Sequence, residues 1–271
     1  MASAPDTLRS LELESGRVAR PARVGIFHDA IFPEAQAYLN KIFSPLGVSV
    51  ISISSLISEE QSNEKDKFDI IGLIGSPKEF LFLRASRLEG SVVLAFAPKS
   101  KFNLSKSYLK VADAVVFCET RSKDWLSDVS DVVYHLFESL ILPSLLNIDV
   151  ADVRNIARGI GIAFNESDDI SENIISRLPR ACLVARSALL HFSCKEEVKL
   201  REVYSISKTI AQKQGTEISS KEIELNDANK LIRRLNVKMG IRVRDTRRNG
   251  GVSAGGSVPK RISMTAILFG I

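Results

Sequence analysis

Three side chains able to accept hydrogen bonds or bind a cation, Asn147, Asp149 and Asp152, lie within six residues of one another. An amide and two carboxylates in a loop can offer oxygen atoms to a metal ion, to a water molecule or to donor groups of a partner. The same pattern also suits a structural role, because Asp149 can cap a helix that begins next to it and Asp152 occupies the capping-box position. We call residues 147–152 the acidic loop, and its residues alone leave both interpretations open.

Other residue patterns that could do chemistry have plainer explanations. Gly159 and Gly161 lack the third glycine of a dinucleotide fingerprint and fit a crowded strand. His28 and His135 have no metal-ligand spacing, and His191 lies on an alternating strand where a structural role is expected. No Ser-His-Asp or Cys-His set is visible, and we predict no metal site and no cofactor. The cysteines read as reduced core residues of a cytoplasmic protein; they are Cys118, Cys182 and Cys194.

Composition indicates a globular protein with substantial cores. The chain has 271 residues, of which 45% are hydrophobic and 25% charged, with a net charge of +5. That charge is too modest to predict specific nucleic-acid binding. No apolar run approaches the ~18 residues that cross a membrane. Residues 1–22 are polar and predict a disordered tail. Residues 246–260 predict a mobile basic loop that either faces solvent or contacts an acidic partner, a membrane surface or nucleic acid.

The acidic loop follows a long predicted helix and separates two α/β halves. In the first half, buried strands predicted at residues 23–28, 48–53, 69–74, 91–96 and 114–118 alternate with helical or loop segments, including a helix at 80–88 and a surface loop at 58–67. This alternation indicates a parallel sheet of Rossmann type covered on both faces. Apolar residues then recur at helical spacing over 123–142. The second half predicts helices at 153–158, 170–178, 199–212 and 227–235, strands at 159–164 and 187–193, and a final β-hairpin of 237–245 with 261–269.

The fold class predicted is therefore α/β, with a truncated Rossmann-like domain, a long central helix and a C-terminal α+β domain of two layers. The predicted boundaries are a tail at 1–22, the first domain at 23–120, the central helix at 121–145 and the second domain at 146–271. In this arrangement the central helix joins the two domains.

The order of these parts and the acidic loop resemble the FtsZ/tubulin superfamily, and FtsZ more than tubulin. The segment Leu-Leu-Asn-Ile-Asp-Val-Ala-Asp-Val at 145–153 is similar to the FtsZ loop Leu-Ile-Asn-Leu-Asp-Phe-Ala-Asp-Val. The resemblance implies that Asn147, Asp149 and Asp152 correspond to residues that, in the family, reach the nucleotide of a neighbouring subunit and help position the attacking water. It also implies head-to-tail assembly with another FtsZ-family subunit, either itself or a true FtsZ.

The phosphate-binding segment departs from the family pattern. Where the family has Gly-Gly-Gly-Thr-Gly-Ser/Thr-Gly, this chain has Gly75, Ser76, Pro77, Lys78 and Glu79. Glycines let successive backbone N–H groups point at a phosphate, whereas proline has no N–H and a glutamate repels the anion. Asp29 and Glu34 place similar charges in the first loop. GTP is therefore possible but not expected.

These departures predict a protein that is not an enzyme: an inactive relative of the FtsZ GTPases in the cell-division or cytoskeletal machinery. It would cap, regulate or copolymerise with a true FtsZ through the acidic loop. Three alternatives stay open at this point: a scaffold that assembles without nucleotide, a divergent GTP-binding or GTPase filament protein, and an unrelated two-domain enzyme.

Overall fold

The structure is a computed structural model, and it describes residues 22–29, 33–53, 68–81, 90–121, 124–195, 197–213, 236–244 and 260–271. The strands are β1 (Val24–His28), β2 (Ser49–Ser52), β3 (Ile70–Ile74), β4 (Val92–Pro98), β5 (Ala114–Cys118), β6 (Gly159–Asp168), β7 (Ser187–Lys195), β8 (Asn236–Arg244) and β9 (Ile262–Phe269). The helices are α1 (Pro33–Phe43), α2 (Pro77–Phe80), α3 (Ser105–Tyr108), α4 (Trp125–Ile141), α5 (Val150–Ile156), α6 (Ser171–Ser176), α7 (Ala181–Val184) and α8 (Leu200–Lys213), with 3₁₀ turns at Ser44–Leu46 and Lys99–Leu104.

All nine described strands form one sheet in the order β2-β1-β3-β4-β5-β6-β9-β7-β8. Strands β1 to β6 pair in parallel, as the buried apolar runs predict. Strand β6 joins the two halves, because one edge pairs with β5 in parallel and the other with β9 in antiparallel fashion. The predicted α/β architecture is confirmed.

The predicted C-terminal hairpin is wrong. Strand β8 pairs in parallel with β7, and β9 lies between β6 and β7, antiparallel to both. Strands β8 and β9 are therefore not neighbours. Nine residues of β7 pair with β8 and eight with β9, so β7 is held on both sides. The predicted helix at 227–235, the loops at 58–67 and 246–259, the tail at 1–21 and most of the predicted helix at 80–88 lie outside the described residues.

The central helix α4 crosses the middle of this sheet. Asp124 begins it as an N-cap whose carboxylate accepts from the backbone of Leu126 and Ser127, and its buried face carries Val129, Val133, Phe137 and neighbours. That face packs in one core with strands of both halves, from β1 through β5 to β7 and β9. The opposite face of β1 to β5 is covered by α2, α3 and the 3₁₀ turn before α3, and a third core lies under α6 to α8. The helix thus connects both halves, as predicted, although the domain boundaries themselves stay a prediction.

Other expectations from sequence can be compared directly with this structure. All three cysteines are buried, and none of these described residues forms a disulfide bond. Among the helices in the described ranges, none combines the length and the apolar character that crossing a bilayer requires.

Candidate functional site

The turn after β3 is occupied by a carboxylate of the same chain. Gly75 and Ser76 form this turn directly after β3, at the segment that the sequence analysis compared with a phosphate-binding loop. The buried Asp29, just past the end of β1, accepts a hydrogen bond from the Ser76 N–H through Oδ2 at 2.5 Å. A backbone donor that could face an anionic ligand is therefore already satisfied by an internal anion.

Gly75 is required for this close approach. Its φ is +144°, a conformation that other residues rarely adopt, and a Cβ built on it would lie 2.4 Å from the Asp29 carboxyl carbon. The Tyr108 hydroxyl donates to the Gly75 carbonyl at 2.7 Å, which fixes the turn from the other side. Burial, with a smaller effect of the Asp29 charge, raises the pKa of Tyr108 to about 12.

The rest of the predicted degenerate phosphate segment contributes little to this turn. Pro77 is buried as the first residue of α2, which makes only one helical turn, whereas Lys78 and Glu79 are exposed. Of the acidic residues that the sequence analysis expected to repel a phosphate, Asp29 lies on the turn, whereas the exposed Glu79 does not make this contact. The hydrogen bond between Asp29 and Ser76 was not predicted, because the two residues are 47 positions apart in the sequence.

The acidic loop forms the capping box that its spacing predicts. The Asp149 carboxylate accepts from the Asp152 N–H at 2.6 Å, and the Asp152 carboxylate accepts from the Asp149 N–H at 3.3 Å. Asp152 also pairs with Lys238 of β8 at 2.7 Å. The Asn147 side-chain oxygen accepts from the Ser144 hydroxyl. These residues therefore begin α5 and connect it to β8, whatever else they bind.

Despite these contacts, the acidic loop faces outward beside apolar side chains. Asn147 and Asp149 are exposed, and Leu145 and Leu146 are 58% and 38% exposed. The backbone of Leu146 forms a bridge to Ile241, which anchors the segment to β8. A fixed backbone with exposed carboxylate and leucine side chains is typical of a protein contact surface.

The Gly75–Ser76 turn and the acidic loop lie at opposite ends of the parallel strands. The turn is at the C-terminal ends, and the acidic loop is near the N-terminal ends. The turn follows the last residue of β3, whereas Arg154 of α5 donates to the carbonyl of Gly90, just before β4 begins. The two ends of the strands are separated by about one strand length, roughly 17 Å. The turn and the acidic loop therefore cannot act on one ligand within a single chain.

The structure also shows a cluster that the sequence analysis missed, in which Glu138 of α4 meets His191 of β7. His191 Nε2 lies 3.1 Å from Glu138 Oε2, His135 Nδ1 lies 3.7 Å from the same oxygen, and Arg242 of β8 pairs with Oε1. The His135 and His191 rings stack with centroids 5.7 Å apart. Burial raises the pKa of Glu138, but the two histidines outweigh burial and hold it well below its ordinary value.

One sequence signal could have pointed to this cluster. His135 and Glu138 are three residues apart on a helix, a spacing that places two side chains on one face. His191 faces the same side because alternate residues of β7, including Leu189, point towards α4. The register that brings them together depends on β7 packing across α4, which no local pattern reveals.

The described basic residues on either side of positions 245–259 have partners within the chain. Arg242 pairs with Glu138, Lys260 with Asp169 at 3.1 Å, and Arg261 donates its backbone N–H and guanidinium to Asp169. These contacts favour a structural role for the described cations over recognition of an acidic partner.

Comparison with known proteins adds the fold relationship. No protein-family model and no curated protein matches this sequence. Among solved structures, an empty FtsZ dimer from M. jannaschii matches with a TM-score of 0.64 at 12% identity, covering 99% of this chain and 93% of that one. GDP-form TubZ protofilaments from Bacillus thuringiensis serovar israelensis match with a TM-score of 0.54 at 10% identity, covering 99% and 89%. CetZ from Methanosaeta thermophila strain DSM 6194 matches with a TM-score of 0.52 at 11% identity, covering 90% and 86%. At such identities the likeness concerns the fold alone, and the protein has the FtsZ/tubulin fold.

Proposed function

We propose that this protein is a non-catalytic, cytoplasmic FtsZ-like subunit that caps, regulates or copolymerises with a true FtsZ, docking through its acidic loop. The observation that carries the proposal is the Asp29 carboxylate on the Ser76 N–H at 2.5 Å. In such a chain, the Gly75–Ser76 turn that would face a phosphate is already occupied. The end of the subunit that carries this turn therefore differs from the end that carries the acidic loop. Such a subunit would contact a nucleotide-bearing neighbour with one end and offer no equivalent face with the other.

Electrostatics supports the loss of nucleotide binding. Two like charges 4 Å apart repel by about 4 kcal/mol at an effective dielectric constant near 20. A phosphate at the Gly75–Ser76 turn would meet the charge of Asp29 and would also have to replace an existing hydrogen bond to Ser76. Asp29 cannot simply withdraw, because a buried carboxylate without donors is unfavourable.

We therefore expect no measurable GTP binding. Isothermal titration of the full chain with GTP and Mg²⁺ should give no saturable heat, and incubation with GTP should release no phosphate above the buffer rate. Binding with a Kd near 1 µM, which corresponds to about −8.2 kcal/mol, would be easily detected. Saturable binding of one GTP per chain would contradict the proposal and favour a divergent GTPase.

The surface available for docking combines charge with apolar area. Asp149 is exposed next to Leu145, so a partner could bury the leucine while it presents donors or a cation to the carboxylate. In the resembled family this loop meets the nucleotide of the adjacent subunit, and the exposed arrangement here leaves room for the same contact. A GTP-bound subunit of the FtsZ fold is the partner that fits.

A charge-neutral substitution tests this docking without unfolding the loop. Because Asp149 caps α5, an alanine there would remove the cap as well as the charge, whereas Asp149→Asn keeps a good cap and removes only the charge. In a pull-down with GTP-loaded FtsZ from the same cell, we expect Asp149→Asn and Leu145→Ser each to weaken binding on the order of tenfold, or about 1.4 kcal/mol.

The matched control is Glu79→Gln, which removes the charge of an exposed carboxylate at the opposite end of the parallel strands. It should bind like the unaltered protein. Equal binding by Asp149→Asn, Leu145→Ser and Glu79→Gln would exclude docking through the acidic loop.

A second candidate function is self-association without nucleotide. One of the similar structures is described as an empty FtsZ dimer, and another forms protofilaments. Sedimentation of the purified chain with and without GTP separates the two candidates. Pelleting that is independent of GTP and of any partner would favour a self-assembling scaffold.

A further inference from the structure

We propose that His135, Glu138 and His191 form a binding site for one divalent transition-metal ion, best matched by Zn²⁺, that fastens the central helix α4 to strand β7. The three residues present two imidazole nitrogens and one carboxylate oxygen within 4.8 Å of one another. We call them the His–Glu–His cluster. This site is independent of the function proposed above.

The distances fit a tetrahedral ion. Zn²⁺ holds histidine nitrogens and carboxylate oxygens at about 2.0–2.1 Å, which places neighbouring ligand atoms about 3.3 Å apart. His191 Nε2 and Glu138 Oε2 are 3.1 Å apart, and His135 Nδ1 and Glu138 Oε2 are 3.7 Å apart. These two separations bracket the ideal value, and the ligand atoms of all three residues lie within 4.8 Å of one another, so side-chain adjustments would bring the two imidazole nitrogens around a shared ion.

A nitrogen atom in the cluster lacks a protein partner. His135 Nδ1 is shielded from solvent and has no hydrogen bond in the described part of the chain, since 3.7 Å to Glu138 is too long for one. An unsatisfied buried nitrogen is unfavourable, and a metal ion would satisfy it together with the carboxylate. A network of hydrogen bonds alone accounts for Glu138 and Arg242 but leaves His135 unexplained.

Arg242 orients the carboxylate of the cluster towards the two imidazoles. Arg242 pairs with Glu138 Oε1, which orients the carboxylate and leaves Oε2 facing both imidazoles. Two histidines and one carboxylate are the ligand set that favours Zn²⁺ over the hard cations Mg²⁺ and Ca²⁺. The Glu138 and His191 side chains are 7% and 4% exposed and the His135 side chain is 21% exposed, so the cluster is nearest to solvent on the His135 side.

Direct titration with Zn²⁺ tests the site. The full chain, freed of metal with a chelator, should bind one equivalent of Zn²⁺ in competition with a chromophoric chelator. Replacing Zn²⁺ by Co²⁺ should give the intense visible bands of a four-coordinate nitrogen–oxygen site. His135→Phe keeps an aromatic ring against His191 but removes a ligand nitrogen, so Zn²⁺ affinity should fall on the order of 100-fold or more.

The third histidine of the chain provides the matched control. His28 lies at the end of β1 and interacts with Gln36 and the Asp29 backbone, so His28→Gln should bind Zn²⁺ unchanged. His135→Gln, a good helix former, serves as a second variant, with circular dichroism confirming that each variant folds. Absence of Zn²⁺ binding, or equal affinity in His135→Phe and the unaltered protein, would overturn the proposal.

Thermal unfolding provides a second measurement. An ion that binds only the folded chain stabilises it by mass action, so Zn²⁺ at about 100 times its Kd should raise Tm by roughly 5 °C or more. The same addition should leave the Tm of His135→Phe unchanged. An equal rise in both proteins would show that Zn²⁺ acts elsewhere on the chain.

Discussion

Gly75→Ala is expected to destabilise the fold by about 3 kcal/mol, within a range of roughly 2–4. Two effects add. The backbone at Gly75 has a φ of +144°, which alanine adopts only with strain, and the new methyl group would overlap the Asp29 carboxylate at 2.4 Å. The carboxylate cannot move away freely, because it is buried and holds the Ser76 N–H. Urea unfolding followed by circular dichroism measures the loss.

Gly90→Ala separates the two effects. Gly90 also has a positive φ, +88°, but a Cβ there meets nothing within 4 Å. We expect Gly90→Ala to lower the free energy of unfolding only through backbone strain, by about 1 kcal/mol. If Gly75→Ala costs no more than Gly90→Ala, the carboxylate does not fill the space above the Gly75–Ser76 turn as described.

A double-mutant cycle with Asp29→Ser measures the contact itself. Serine is short enough to leave room for the alanine methyl group, so the double variant should recover part of the loss. We expect a coupling free energy of at least about 1 kcal/mol between the two positions. Additive effects would mean that residues 29 and 75 do not touch.

Local patterns predicted most of the sheet because parallel strands are buried on both faces. Strand β5 was predicted with its observed ends, Ala114–Cys118, since a continuous apolar run has few other uses. The long helix was likewise evident from its period. The predicted C-terminal hairpin was wrong because two strands have the same sequence pattern whether they pair with each other or with β7. Their pairing is determined by the insertion of β9 between β6 and β7, which is a long-range feature.

The candidate sites show the same difference between local contacts, which the sequence predicts, and long-range contacts, which it does not. The capping box of Asp149 and Asp152 could be predicted, because its geometry depends on a three-residue spacing. The contact of Asp29 with Ser76 joins two strand ends 47 residues apart, and that of Glu138 with His191 spans 53 residues. Contacts of this kind follow from strand order and register, which composition and periodicity do not determine.

Glu138→Ala is expected to be the most damaging single substitution among those considered, at about 3–5 kcal/mol. Glu138 is 7% exposed and interacts with His191 and Arg242, two residues of different strands. Its removal would leave the Arg242 charge and a buried imidazole without their shared acceptor, in addition to a cavity under α4. Against a typical total of 5–15 kcal/mol, the variant would be marginally folded, with Tm lowered by roughly 10 °C.

Two comparisons show whether buried charge pairing causes this loss. Measurements in the presence of a chelator remove any metal contribution. Glu119→Ala breaks a more exposed pair with Lys99 at 3.0 Å and should cost less than about 1 kcal/mol. Glu138→Gln keeps the shape and an acceptor oxygen but loses the charge, so it should fall between the two. If Glu138→Ala lowers the free energy of unfolding no more than Glu119→Ala does, the cluster does not hold α4 against β7 and β8. A buried carboxylate that bonds to both strands should cost more stability than that when it is removed.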